Sequence, residues 1–456
     1  MMKNYVGDRA IVLGGSVTGL FAVSPLAEAY REVIVVDRDE LIGVREVRRG
    51  SPQARHINGL LARGARAMED LFPEITAEMI SAGCPQTDLA GTVRWYFNGK
   101  RLAQQRAGLS NVAARRPIME VHLRERIQAM PNVRIMERHD INGLVFTADN
   151  SRVTGVRVQP TGDVDAPEQV IEADLVVDAT GRGSRSPLWL EATGYGRAPE
   201  EGTKMGLGYA TRHYRLGATN RFGTDHSIVC VASAESPRGA ICTRTDDGLV
   251  ELTTYGILGD HPPLDDEGFN SFIKSLAATE IYDMIIDAEP VNDPVLFRFP
   301  TTLRRRFESL ERFPAGLVVV GDAVCTPNPV FAQAQTLAAL QALAMRDRLR
   351  AGGPIDSVEF MAEVGRIVDP AWQMTETINL SYPGVEGERP PQVLIMLAYM
   401  KQLHDVATRD SSVTEAFLRT ASLVDPPESL MHPELVWKVT QNLLAAALPA
   451  REGAAA

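Results

Sequence analysis

The stretch Arg9–Asp37, RAIVLGGSVTGLFAVSPLAEAYREVIVVD, decides the fold. Arg9 to Leu13 is a short β-branched-rich run that leads into Gly14-Gly15-Ser16-Val17-Thr18-Gly19, and Leu20 to Tyr30 then has helical composition apart from Pro25. Glu32 to Val36 is a second apolar run, ending in Asp37, 18 residues after Gly19. Strand, glycine turn, helix, strand and terminal acid make a βαβ unit suited to an adenine dinucleotide. The helix start faces the pyrophosphate and the acid hydrogen-bonds a ribose. One position departs from GxGxxG, because Ser16 stands at the middle glycine. Serine is small enough to let a pyrophosphate approach, and its hydroxyl is a donor.

A second stretch, Val318 to Thr336 (VVVGDAVCTPNPVFAQAQT), follows the same logic. The apolar run Leu317 to Val320 meets Gly321-Asp322-Ala323, then Pro327 and Pro329, then an apolar-periodic segment from Thr336 to Leu349. That order reads as buried strand, polar turn and helix, with the helix dipole favouring an electron-rich ligand.

With 456 residues the chain divides into two or three packed regions. Its 23% charged and 45% hydrophobic residues are those of a soluble globular protein, and a net charge of −11 argues against nucleic acid as a partner. Arg45 to Arg49 is a possible anion contact, whereas Arg304 to Arg306 reads as solvated surface. The opening residues lack an export-signal pattern and no run approaches a membrane span, so no membrane association is expected. The four cysteines form no CxxC pair and the eight histidines no ligand spacing, so neither disulfides nor a metal site is expected. The expected compartment is the reducing cytoplasm.

Between the two stretches, composition makes Pro52 to His56 a surface loop and Leu60 to Leu71 a helix. Trp95 to Leu102 alternates around Asn98-Gly99, a hairpin signal. Pro117 suits the first turn of a helix running to about Met130. Val133 to Met136, Gly143 to Thr147 and Val153 to Gln159 read as a meander, closed by Leu175-Val176-Val177-Asp178-Ala179-Thr180-Gly181. Strand-like segments at Lys204 to Leu216, His226 to Ser233, Gly239 to Arg244 and Leu249 to Ile257, with Asp246-Asp247-Gly248 as a hairpin turn, form an antiparallel sheet fit to wall a cavity. Phe269 to Ala278 and Ile281 to Asp287 read as helices. From Pro354 the periodicity is helical, broken at Pro383 to Pro391, with an Ala-rich tail from Ala445 that frays.

The three glycine motifs, GGSVTG, DATG at Asp178 to Gly181 and GDA at Gly321 to Ala323, resemble those of class A flavoprotein monooxygenases of the para-hydroxybenzoate hydroxylase fold. Pro52-Gln53-Ala54-Arg55-His56, the run Thr180 to Pro187 and the long GDAVCTPNPVF are similar to the bacterial polyketide-tailoring branch. That branch holds epoxidases of polyether pathways and flavin-dependent cyclases that form decalins. The resemblance runs from Arg9 to Leu349. It implies an α/β fold: a Rossmann-like FAD-binding domain (residues 1–85, 113–200 and 299–352), an antiparallel substrate sheet (86–112 and 201–298) and a C-terminal helical region (353–456). By the same resemblance Gly14, Gly15, Ser16 and Gly19 hold the FAD pyrophosphate, with Asp37 on the adenosine ribose and Arg38 also among the cofactor-binding residues. Gly321 and Asp322 meet the ribityl side, and Arg55 and Arg116 lie along the cofactor. His56 is a structural hydrogen-bond partner rather than a base, and Asp178 ends its strand.

Relatives carry Pro-x-x-Gly-x-Gly after GDA, whereas this chain has Pro329-Val330-Phe331-Ala332-Gln333-Ala334-Gln335. Glycine reaches positive φ without penalty; alanine pays about 1–2 kcal/mol there. Ala332 and Ala334 therefore alter the wall beside the flavin. Two functions fit. One is monooxygenation, by epoxidation or hydroxylation, of an apolar polyketide-like molecule in antibiotic-type biosynthesis. No second nucleotide fold is seen, so NAD(P)H binds transiently or a separate flavin reductase serves. The other is redox-neutral Diels–Alder-type cyclisation with FAD as a structural part, which loss of the flavin-side glycines favours. Gln333, Gln335, His213 and Tyr214 are the candidate catalytic donors. A flavin-binding protein without turnover is a third class.

Overall fold

The computed structural model describes residues 5–163, 165–217 and 221–447. Its apolar runs are strands of one five-stranded parallel sheet, ordered Leu317–Val319, Leu175–Asp178, Gly7–Leu13, Tyr30–Val36, Val133–Met136. All but the edge strand Val133–Met136 are buried on both faces over most of their length, which is why they read as continuous apolar runs. Helices Val17–Ala29, Ala334–Ala351 and Ser357–Asn379 complete this core. Register places Leu13 beside both Val36 and Asp178, and Asp178 beside Val319. The three glycine motifs therefore emerge together at the carboxyl edge, where ligands of such sheets bind.

Val133–Met136 corrects the sequence reading. It belongs to the parallel sheet, with Val33 to Val36 opposite Val133 to Met136, because helix Arg116–Gln128 serves as its crossover. The meander consists of His139–Phe146, Val153–Pro160 and Gln169–Glu172.

The second layer is an eight-stranded, mostly antiparallel sheet centred on Lys204–Arg215, Val250–Gly256, Arg238–Arg244 and Ser227–Cys230. Strand Val93–Phe97 joins it in parallel beside Ser227–Cys230, and Asn98 (φ 50°) and Gly99 (φ 73°) turn the chain back into Lys100–Arg101. Alternation sorts the faces: Ala210, Tyr214, Leu252 and Cys242 pack in a core with residues of helices Asp266–Lys274 and Glu280–Ile285. The other face turns toward the parallel-sheet domain.

Helices Pro391–Ala407, Ser411–Ala421 and Pro433–Ala447 form a further cluster with Leu102 and Leu109, roofing the open end between the layers. The tail beyond residue 447 lies outside the described residues. No described helix is long and apolar enough to cross a membrane.

Candidate cofactor and substrate site

Between the layers lies one continuous cavity of about 1890 Å³. Pockets for single small molecules run to about 300–1,000 Å³, so the space admits an extended cofactor and a second molecule together. Its polar end is built by the glycine turn. Gly14 has φ 99°, and a Cβ on Gly19 would lie 1.8 Å from the Gly14 carbonyl oxygen, so only glycine lets helix Val17–Ala29 start this close to the strand. The first N–H groups of that helix are the unsatisfied donors of every helix start.

Asp37 braces this turn. Its Oδ2 accepts from Gly15 N at 2.6 Å and its Oδ1 from Asp39 N at 2.8 Å. Burial raises its pKa, against these bonds and Arg48. Ser16 and Arg116 stand beside it, but the Ser16 hydroxyl donates to Glu120 Oε1 (2.7 Å) while accepting from Arg116 (2.8 Å). The donor expected for a pyrophosphate is thus committed to a carboxylate. Glu120, 3% exposed, also meets Arg48 (3.0 Å), Arg116 (3.1 Å) and Arg124 (3.2 Å). Burial works to raise its pKa, yet the guanidinium groups of Arg116 and Arg48 and the Ser16 bond hold it below the usual carboxylate value. Sequence reasoning did not find Glu120; its one signal was the Arg45 to Arg49 cluster, which supplies Arg48.

Gly321 has φ 63°, and a Cβ there would lie 2.5 Å from Thr18 Cγ2. That close approach seats the GDA turn on the glycine-turn helix and aims Asp322 into the cavity. Among the described residues no side chain hydrogen-bonds its carboxylate; burial raises its pKa, opposed by Arg116 and Arg182. Arg182, another residue the sequence reading missed, lies over the Phe299 ring (5.3 Å) with Nη1 buried and unpartnered. Asp178 ends its strand fully buried, accepting from Thr180, Ser184 and Ser186, and so pins the DATG loop.

The loop after GDA lies along the cavity with Pro329, Ala332, Gln333, Ala334 and Gln335. The anticipated strain divides: Ala332 sits at φ 52°, ψ 27°, the left-handed region, whereas Ala334 begins the helix Ala334–Ala351. A Cβ built on Gly59 would lie 3.0 Å from Ala332 Cβ, so the extra methyl is accommodated against a glycine. Gln333 Oε1 accepts from Thr375 (2.8 Å), leaving Nε2 unpartnered; Gln335 Nε2 donates to Asn58, leaving Oε1 unpartnered.

Other expectations are relocated. Arg38 lines the cavity and pairs with Asp140 at 3.4 Å. Arg55 is exposed and away from the lining. Pro52–Arg55 is a 3-10 turn rather than a plain loop, and His56 is buried with Nδ1 2.8 Å from Thr211 Oγ1. Burial, then Arg55 and His213, pull His56 down to about 4. His213 lies beyond the lining, and Tyr214 points the opposite way into the core. The reason is alternation, since Tyr209 faces inward and even-numbered residues of that strand face outward. Arg304 to Arg306 are not solvated surface: Arg304 is fully buried against Glu308 (2.6 Å) and Asp369 (3.2 Å).

The inward face of the large sheet carries Glu251, which sequence reasoning also missed. It is 4% exposed, lines the cavity and has no described hydrogen-bond partner. Arg115, the cation that acts on it, is bonded to Asp246 (2.7 Å) and paired with Asp247 (3.2 Å). Burial pushes the Glu251 carboxyl up to about 8, with those aspartates reinforcing and Arg115 opposing. Its signal was the pattern Val250-Glu251-Leu252-Thr253, in which period two puts a carboxyl among inward residues.

No protein-family model matches the chain. A flavoprotein/dehydrogenase from Cytophaga hutchinsonii superposes with a TM-score of 0.66 at 12% identity, covering 96% of this chain and 100% of that one. The myxobacterial chondrochloren halogenase CndH, described as FAD-dependent, gives 0.61 at 17% identity over 98% of both. PqsL of Pseudomonas aeruginosa, a probable FAD-dependent monooxygenase, gives 0.58 at 14%, over 90% and 99%. At these identities the likeness is one of fold, and the fold is that of FAD-dependent flavoproteins. Protein Rv3254 of Mycobacterium tuberculosis is 32% identical over 432 residues, covering 92% of this chain and 90% of its own. The chain belongs to the protein family of Rv3254.

Proposed function

We propose that the protein is an FAD-dependent tailoring enzyme of polyketide-like natural products that inserts one oxygen atom of O₂ into an apolar small molecule, by epoxidation or hydroxylation. The second oxygen leaves as water, with two electrons from NAD(P)H or a separate flavin reductase. The observation that carries the reading is the pair of opposite anchors at one sheet edge. The helix start at Ser16 favours an anion, while Asp322, desolvated and unpartnered, calls for hydroxyl donors. A cofactor with both a pyrophosphate and a polyol satisfies the two, and a simple phosphate satisfies one. Gly14, Gly15, Gly19 and the backbone of Ser16, whose hydroxyl is committed to Glu120, would hold the pyrophosphate, Asp37 and Arg38 the adenosine end, and Gly321 and Asp322 the polyol. Arg116 would lie between them.

FAD, when bound, supplies the two-electron and O₂ chemistry. The protein binds, orients and excludes water. The apolar substrate lies against Tyr209, Phe297 and Ile241, and the protonated Glu251 is a donor toward a substrate oxygen.

A second reading is redox-neutral cyclisation, in which FAD is structural and the cavity holds a polyene in its reactive conformer. The Cβ of Ala332 in the left-handed region beside the cavity favours it. Incubation of the flavin-loaded protein with candidate polyenes separates the two. A gain of one oxygen only with reductant and air supports oxygenation. An isomer of the substrate formed anaerobically without reductant supports cyclisation and overturns the leading reading.

A further inference from the structure

The cavity extends away from the glycine turn into a lobe between strand Val93–Phe97 and helices Pro391–Ala407 and Ser411–Ala421. His404 is caged there, its imidazole 4.5 Å from the Phe97 ring and 4.7 Å, edge-on, from Phe417. Phe97 in turn stacks on Trp95 at 6.1 Å. At the hairpin turn Asn98 Nδ2 approaches His404 Nδ1 at 3.4 Å. An amide N–H donates, so Nδ1 accepts and the ring proton sits on Nε2.

His404 Nε2 is buried without a partner. So is Oγ1 of Thr420, which is 2% exposed and one turn on from Phe417 along its helix. A helix threonine usually back-bonds its own preceding carbonyl, and buried polar atoms are seldom left alone. Here both residues line one cavity, whose neighbouring walls include Met400, Leu418 and Leu430, with each orphaned atom buried in its wall. Burial pulls the imidazole down to about 4 despite Asp405, which is itself paired with Lys100 at 2.7 Å, so the ring is a neutral donor. It suits an uncharged oxygen better than a carboxylate.

We infer that this lobe receives the oxygen-bearing end of an otherwise apolar ligand, a ketone, ester or alcohol, with His404 Nε2–H donating to that oxygen and Thr420 Oγ1 as its second partner. The inference rests on the proposed reading only in that a small molecule enters this cavity. His404 then fixes which end of the substrate points away from the cofactor, making it a specificity-determining residue.

The test uses two probes of one shape, 2-acetylnaphthalene and 2-isopropenylnaphthalene, which differ in C=O against C=CH₂. Calorimetric titration of the flavin-loaded protein should give roughly tenfold tighter binding of the ketone. His404→Phe should bring the two within roughly twofold while leaving the alkene's affinity unchanged, and Thr420→Val should do so partially. His404→Gln, which keeps a donor, should retain the preference and covers the case in which His404→Phe does not fold. Equal binding of the two probes by the wild type, an undiminished preference in His404→Phe, or no binding of either overturns the inference. The titrations are repeated on protein as purified with its flavin content read by absorbance: a protein that cannot be loaded with flavin yet prefers the ketone refutes the FAD reading and leaves this one standing.

Discussion

Replacing Glu251 by glutamine should stabilise the protein at neutral pH and leave it unchanged in acid. Glu251 faces the cavity at 4% exposure, and the cation that acts on it, Arg115, is already held by Asp246 and Asp247. His213, opposite it on the neighbouring strand, has a pKa lowered by burial and so brings no compensating charge at neutral pH. The carboxyl's pKa rises from 4.5 to about 8, so between those values the folded protein holds a proton that the unfolded chain has released. The folded state binds more protons, so stability falls as pH climbs from 4.5 to about 8 and is flat on either side. At about 1.4 kcal/mol per unit, the penalty is about 3 kcal/mol at pH 7 and about 5 kcal/mol once the folded carboxyl has ionised. Glutamine keeps the shape and never ionises. Urea midpoints of Glu251→Gln and wild type, at matched flavin content, should coincide near pH 4.5 and separate with rising pH in favour of glutamine. His56, His226 and His404, each pulled to about 4, titrate in both proteins and cancel in the difference. A gap that does not vary with pH, or a glutamine variant less stable at pH 7, would refute the assignment of a neutral carboxyl here.

Asp322→Ala should purify folded but largely colourless, its flavin affinity down roughly 10- to 100-fold for the loss of charge-assisted hydrogen bonds; full flavin retention by visible absorbance would contradict its role. Glu120→Gln leaves Arg48, Arg116 and Arg124 without their shared carboxylate and should cost about 3–5 kcal/mol in chemical denaturation above pH 4.5. That difference should shrink as acid protonates the wild-type group, whose folded pKa is depressed. Ala332→Gly removes about 1–2 kcal/mol of left-handed strain against about 0.5–1 kcal/mol of added chain entropy, so a net gain of about 0.5–1 kcal/mol is expected by denaturant midpoint. A loss of stability there would place the value of the Ala332 methyl in its packing against Gly59.

The glycine turns were legible because their determinants are local. Gly14, Asp37 and Gly321 follow on apolar strands, and the positive φ of Gly14 and Gly321 and the approach of Gly19 to the Gly14 carbonyl are constraints of the turns themselves. The anion network was not. Glu120 meets Arg48 across 72 positions and Ser16 across 104, and no periodicity relates them. Val133–Met136 went to the wrong sheet because an edge strand and a meander strand share one composition; only the crossover helix before it decides the partner. Tyr214 was chosen and Glu251 missed for one reason. Had the alternation in Lys204–Arg215 been phased on Tyr209, it would have turned Tyr214 outward, and the same phase on the paired strand would have brought Glu251 in.

The same contrast explains why the reaction is harder to read than the cofactor. Around the glycine turn the described charges balance, with Arg48, Arg116 and Arg124 set against Asp37, Asp39 and Glu120. Among the described residues that line the cavity, Gln333 Nε2 beside the loop after GDA and His404 Nε2 in the far lobe are neutral donors without a partner, and Glu251 on the sheet is neutralised; the buried charged donor without one, Arg182 Nη1, belongs to the DATG turn next to Asp322. A cavity that spends its fixed charges on the cofactor's frame and meets its second occupant with uncharged donors on apolar walls selects a molecule by shape and by the placing of its oxygens. Either proposed reaction requires that selection, and the position of those oxygens, fixed between Glu251 and His404, sets which carbon atoms lie nearest the loop of Ala332.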